Sequence, residues 1–236
     1  MSLPTPYYER DGITIYHGDC REVMPGLSGV RLVVTDPPYV FGLASTSQEG
    51  KAGGWGDMMN NAAFFASLLG DFRRLIGGNP GAVWMFNSWR SFPVLARAAY
   101  EARWPIESLL VWDKKWIGPG GPNGLRPSFE LAALWVDGEY RISNRSTPDI
   151  WREQASSHKP TGHPAEKPEP LIRRMIEAAE TAGPVFDPFL GSGTTLVAAK
   201  NAGREGIGIE IEERYCEIAA KRLSQEVFDF GGAVHE

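Results

Sequence analysis

Cysteine is scarce in this chain of 236 residues, which has only Cys20 and Cys216. Two thiols so far apart build neither a metal-ligand cluster nor a disulfide framework, and they fit a reducing compartment as small buried hydrophobes. Long apolar runs are lacking too. No stretch approaches the roughly 20 uninterrupted apolar residues of a membrane helix, and Met1-Ser2-Leu3-Pro4-Thr5-Pro6-Tyr7 lacks a signal-peptide core, so a cytoplasmic location without a membrane partner is expected. Positive charge is short: 24 Lys and Arg stand against 29 Asp and Glu, a formal −5. Any polyanion must therefore be met by a local basic face. The phosphate-cradling Gly-Lys-Ser/Thr element is also missing, since the only Gly-Lys, Gly50-Lys51, is followed by Ala52, which argues against a nucleoside triphosphate.

What remains is ample for a core. With 42% hydrophobic residues and eight tryptophans, the chain suits one domain, 1–236, with insertions. Apolar runs predict seven strands: Ile13–Tyr16, Leu32–Thr35, Ala82–Phe86, Ser108–Trp112, Leu131–Val136, Val185–Asp187 and Gly206–Ile211. Amphipathic helices fall between several of them, including 62–76 and 93–103, a helix with Pro168 in its first turn, and a last one over 212–225. That alternation predicts a mostly parallel sheet with helices on both faces. No helix separates the strands at 108–112 and 131–136, which predicts an antiparallel hairpin at one edge.

Asp36-Pro37-Pro38-Tyr39, directly after the apolar strand Leu32–Thr35, carries the sharpest chemistry. A carboxylate and a proline-fixed carbonyl can accept the two hydrogens of a planar amino group and leave its nitrogen lone pair free to attack a methyl donor. Two prolines fix φ and supply no N–H, so the Pro37 carbonyl is held out of a strand ladder. Tyr39 adds a flat face for stacking.

A second motif lies at 184–196, where a short strand runs into Asp187-Pro188-Phe189-Leu190-Gly191-Ser192-Gly193-Thr194-Thr195 and then a helical pattern. Gly191 and Gly193 allow backbone N–H groups to approach a ligand at a helix N-terminus. Nineteen residues beyond Gly191, the strand Gly206–Ile211 delivers Glu210 to its tip, where a ribose diol needs an acceptor. A nicotinamide cofactor would fit such a turn, but hydride transfer gives no role to Asp36 and its neighbours.

Together these motifs resemble the amino-methylating DNA methyltransferases that use S-adenosylmethionine, in the permuted class called β, where the catalytic quartet precedes the cofactor turn. The resemblance runs through most of the chain. It implies a circularly permuted, Rossmann-like, seven-stranded sheet, with Asp36, Pro37, Pro38 and Tyr39 catalytic. It implies that the cofactor is held by Asp19 and Cys20 of His17-Gly18-Asp19-Cys20, by Asp36, by the turn from Asp187 to Thr195, and by Glu210 with Ile211. His163, Lys167 and Pro168 join that set through His163-Pro164-Ala165-Glu166-Lys167-Pro168, which resembles the family's HPTQKP element. Ala165 and Glu166 depart from it. No metal is implied.

DNA is the implied partner, and two irregular segments are placed to meet it. One is a loop near 42–59 carrying Trp55, expected to be mobile. The other is a target-recognition insertion near 113–162, with Lys114, Lys115, Arg126, Arg145 and Lys159 as candidate phosphate contacts. Asp at the first quartet position leans toward N6 of adenine within the family, with N4 of cytosine as the near rival. RNA or a glutamine amide is a further acceptor, and a catalytically silent cofactor- and DNA-binding module is the rival of another class. A homodimer and a cognate restriction enzyme stay open.

Overall fold

Hydrophobic residues on consecutive positions, rather than alternate ones, build the centre of this molecule. The computed structural model describes residues 2–38, 55–118, 123–155 and 166–225, with the backbone alone over 55–61. In chain order, β1 (Tyr8–Arg10) and β2 (Ile13–His17) precede α1 (Cys20–Val23), a short 3-10 turn and β3 (Leu32–Thr35). Then come α2 (Trp55–Ile76), β4 (Gly81–Asn87), α3 (Phe92–Glu101), β5 (Ser108–Asp113), β6 (Phe129–Asp137) and β7 (Ile150–Arg152). The last third holds α4 (Glu169–Ala178), β8 (Val185–Asp187), α5 (Thr194–Asn201), β9 (Gly206–Glu210) and α6 (Glu213–Ser224).

The strands form one sheet in the order β1-β2-β9-β8-β3-β4-β6-β5-β7. Pairing is parallel from β2 through β9, β8 and β3 to β4, and again between β5 and β7; only β1 and β6 run the other way. Every residue of β3, β4 and β8 is buried, as expected of parallel strands covered on both faces. One face packs α1, α2 and α3 through Val23, Phe65, Phe72 and Leu95 against Val33, Met85 and Trp135. The other packs α4 and α5 through Ile172, Met175 and Ala198 against Val34, Trp84 and Leu134, and α6 closes over β2 through Cys216, Ala219 and Leu223. Several buried indoles hand their N–H groups to backbone carbonyls, as Trp112 does to Glu153 at 2.8 Å and Trp151 to Pro148 at 2.7 Å, in line with the rule that buried donors find partners; Trp84 is an exception among the described residues.

The seven expected strands are present, and the sheet has two more. Asp11 and Gly12, both at positive φ, turn β1 onto β2, the hairpin chemistry expected of an Asp-Gly pair. The short β7 buries only Trp151, too little apolar pattern to stand out. Its presence corrects the expected edge: the antiparallel β5/β6 hairpin exists, but β7 lies outside it. A second correction concerns the segment expected as a loop over 42–59, because α2 begins at Trp55, seven residues before the expected helix start. The glycines around Trp55 imitate a loop. Residues 39–54 lie outside the described part.

Topology fixes where a ligand can sit. The connection from β3 leaves through α2 on one face, whereas that from β8 leaves through α5 on the other, although β3 and β8 are neighbours. Their carboxyl ends therefore flank a crevice at the point where the winding reverses, the usual ligand position in such sheets.

Candidate active site

At that crevice lies a cavity of about 840 Å³, within the size range of small-molecule and cofactor pockets. Of the residues singled out from sequence, Asp19, Cys20, Asp36, Pro37, Pro38, Lys167, Asp187, Pro188, Phe189, Gly191, Ser192, Thr194, Thr195, Glu210 and Ile211 line it. Gly193 and Pro168 serve as the N-caps of α5 and α4 behind that lining. Tyr39, His163 and Lys159 lie outside the described residues. Trp55 contributes the first backbone position of α2. Phe64, Phe86, Ile172 and Tyr215 also line the cavity; they were not expected there, because they come from helices and a strand whose apolar pattern reads as core, and Glu166 joins them from the segment before α4.

The end of β8 is the rigid corner of the site. Asp187 accepts hydrogen bonds from the Thr35 hydroxyl (2.8 Å), the Phe189 amide (3.0 Å) and the Thr195 hydroxyl (2.6 Å), so its carboxylate ties the catalytic strand to the start of α5. Burial pushes its pKa up from the ordinary 3.8 to about 6, against the lowering effect of those three donors. The folded value lies above the unfolded one, so ionising Asp187 opposes folding. Its contribution to stability is fully present below about pH 4 and is lost as pH rises through about 6. We expect the stability difference between the native chain and Asp187→Asn to shrink over that window in denaturant melts; a flat difference would remove the buried carboxyl as its source.

Glu210, at the tip of β9, is buried and accepts from two amides, Gly191 N–H at 2.7 Å and Glu212 N–H at 2.9 Å. It thus clamps the glycine turn as well as facing the cavity. Asp19 caps α1, accepting from the Arg21 amide at 2.9 Å, and the Arg21 side chain donates to the same carboxylate. Those Arg21 bonds hold the Asp19 pKa below the usual carboxylate range. Burial pushes the Cys20 thiol up to about 11, which makes it packing rather than a nucleophile. Glu166 pairs with Arg222 at 3.2 Å, and Arg222 donates to the Ser192 carbonyl at 2.7 Å. Glu166, one of the two residues that depart from the HPTQKP pattern, therefore braces the glycine turn through α6.

Asp36 stands at the end of β3 with its two oxygens in different situations. Oδ2 accepts from the Lys167 ammonium, whereas Oδ1 is buried and, among the described residues, has no hydrogen-bond partner. An orphaned, buried carboxylate oxygen is costly unless a donor arrives. Lys167, expected to hold cofactor, has its ammonium on Asp36 and at 3.3 Å from Glu130.

The candidate basic contacts divide. Lys114 is turned inward, paired with Glu130 and lying 5.2 Å from the Trp112 ring. Arg126 is exposed but donates to the Gly118 and Ile117 carbonyls, at 2.9 and 3.3 Å, and so closes its own loop. Lys115 and Arg145 are exposed. Nearby, Trp116, Ile117 and Leu125 expose large apolar surface at the tip of the β5/β6 connection. Among the described residues no helix is long and apolar enough to cross a membrane.

Comparison with known proteins points one way. A family model described as a DNA methylase matches residues 30–221. The type II methyltransferase M.ScaI of Streptomyces caespitosus is 28% identical over 279 aligned positions, covering 95% of this chain and 86% of the relative. The crystal structure of the M1.HpyAVI–SAM complex aligns with a TM-score of 0.68 and 26% identity, over 89% of this chain and 99% of the other. The cytosine-N4-specific PvuII DNA methyltransferase shares the fold, with a TM-score of 0.75 at 19% identity over 94% of this chain and 90% of the other.

Proposed function

Because this chain belongs to the DNA methylase family that acts on adenine N6 or cytosine N4, we propose that it methylates the N6 amino group of adenine at a defined DNA site. S-adenosylmethionine is the methyl donor. One observation carries the catalytic assignment: Asp36 lines the cavity beside the glycine turn with Oδ1 lacking a partner. That oxygen and the Pro37 carbonyl accept the two amino hydrogens, which turns the nitrogen lone pair toward the methyl group. With the cofactor bound, the N–C bond would form as the C–S bond breaks, its electron pair going to sulfur, and the methylated nitrogen would pass its extra proton to solvent. Alignment is the main requirement of such a displacement. When bound, S-adenosylmethionine supplies a methyl group made electrophilic by its sulfonium.

The cofactor is assigned to the turn from Asp187 to Thr195, with Glu210 on the ribose hydroxyls and Asp19 toward the adenine. Glu210 also holds the Gly191 amide, so its loss acts twice. We expect Glu210→Ala to weaken binding by roughly tenfold or more, the worth of a charge-assisted hydrogen bond. Calorimetry giving an unchanged affinity would take Glu210 out of the site.

A paired adenine has to leave the stack, at a cost of a few kcal/mol. Stacking on Tyr39 returns about 1–3 kcal/mol, so contacts to the backbone must supply the rest. We assign them to the 113–162 segment, with Lys115 and Arg145 as exposed cations and Lys159 as a further candidate, and to the stretch 42–54 ahead of α2. Charge reversal at Arg145 and Lys159 together is expected to lower DNA affinity and its salt dependence while sparing cofactor affinity. Unchanged anisotropy titrations would make the segment mere surface.

The preference for adenine rests on Asp at the first quartet position. Nucleoside mass spectrometry after incubation of unmodified duplex with labelled cofactor tests it. Label only in cytosine would refute adenine and keep the mechanism; label in RNA or protein but never DNA would overturn the substrate class.

A further inference from the structure

Behind Asp36 runs a line of alternating charges. Lys167 Nζ donates to Asp36 Oδ2 and lies 3.3 Å from Glu130 Oε2, while Glu130 Oε1 accepts from Lys114 Nζ. The side chains are 22% exposed at Asp36, 8% at Lys167, 18% at Glu130 and 19% at Lys114, so the line is largely withdrawn from water. The fold brings these four together at one rim. Asp36 follows β3 and Lys114 follows β5; Glu130 lies in β6 opposite Trp112, and Lys167 precedes α4. Phe86 completes the enclosure, its ring centroid 5.1 Å from Lys167 Nζ.

Ion pairs of this kind add little net stability, since desolvation offsets the attraction, but they fix geometry. A buried ammonium beside Asp36 alone would be drawn to both carboxylate oxygens. A second carboxylate on its other side removes that freedom. We propose that Glu130 is a positioning residue for methyl transfer, holding Lys167 so that Lys167 takes Oδ2 of Asp36 and leaves Oδ1 for the target amino group. This rests on the assignment of Asp36 to the amino group. It also moves Lys167 from the cofactor to the catalytic carboxylate. Glu130 acts only through Lys167 and touches no substrate.

The geometry has a kinetic signature. Misplacing a reacting group without removing it costs up to about 100-fold in turnover, and the loss belongs in kcat, since neither the cofactor nor the DNA has lost a contact. The test uses the full chain with Glu130→Gln, Lys167→Met and the double variant, with methyl transfer to unmodified duplex measured for kcat and KM. Cofactor affinity is read by calorimetry and folding by thermal melts. Glu130→Gln is expected to lower kcat with both affinities retained, and the double variant to match Lys167→Met, because the proposed effect of Glu130 on Asp36 runs through Lys167. Normal kcat in a folded Glu130→Gln protein would overturn the proposal, as would losses that multiply in the double variant. So would a loss confined to cofactor affinity, which would return Lys167 to the cofactor. Should Glu130→Gln alone unfold, Lys114→Met with Glu130→Gln, which removes one charge of each sign, carries the same test. Asp36→Ala is run in parallel: near-native turnover there would defeat the assignment of Asp36 itself, separately from that of Glu130.

Discussion

Asp36→Ala is expected to lower methyl transfer by about 100- to 1,000-fold, the usual loss for one preorganised partner of a transition state, while S-adenosylmethionine binding falls far less. The expectation follows from where Asp36 stands. Among the described residues its Oδ1 has no partner to lose, so on the proposed assignment the substitution removes a group meant for a substrate rather than a strut of the fold. Its Oδ2 partner, Lys167, keeps Glu130 at 3.3 Å, so the ammonium is not left alone in a buried place. Stability should therefore drop less than for a buried pair broken outright, which costs about 3–5 kcal/mol. The glycine turn, to which the cofactor is assigned, is anchored elsewhere, by Asp187, Glu210 and Arg222. Turnover and calorimetric affinity measured on the same preparation separate the two roles. Near-native turnover in Asp36→Ala would end the catalytic assignment, and equal losses in turnover and cofactor affinity would make Asp36 a cofactor residue.

Sequence exposed the parts of this molecule that depend on local chemistry. The quartet beginning at Asp36 is legible because two prolines after a buried strand leave the backbone little choice. Glu210 is legible because a βα turn and the next strand tip have a fixed spacing. Strands β3, β4 and β8 are legible because parallel strands buried on both faces read as unbroken apolar runs. Long-range pairing is what stayed hidden. Asp36 and Lys167 lie 131 positions apart and meet only because β8 inserts between β9 and β3 in the sheet. Glu130 sits near the start of a strand where a charged residue reads as solvent-facing, yet Lys114 and Lys167 hold its pKa below the usual carboxylate range against the raising effect of burial. The pairing of Glu166 with Arg222 was equally invisible, since nothing in HPTQKP-like spacing refers to the last helix.

The glycine turn illustrates how a correct motif can hide its physical reason. Spacing alone suggests that Gly193 is there to let a ligand approach the backbone. In the structure Gly193 has φ +86°, and a Cβ built on it would lie 2.7 Å from Ala219 Cβ. What presses on this glycine is α6. Gly193→Ala is therefore expected to cost roughly 2–5 kcal/mol, combining a left-handed backbone penalty of about 1–2 with overpacking of about 1–3. The strain should reach the cofactor, because Ser192 and Thr194 flank the glycine, line the cavity and bond to Arg222. Melts and calorimetry are expected to show both losses together. Ala219→Gly supplies the decisive control: it opens the space for a new Cβ but leaves φ unchanged, at a helix-propensity cost of about 1 kcal/mol of its own. In that background, Gly193→Ala should lose its closest clash, with the Ala219 Cα still 3.1 Å away, so the two substitutions should be less than additive. Strict additivity would show that α6 is not what Gly193 accommodates, and would return this glycine to the ligand-approach role that its spacing suggests.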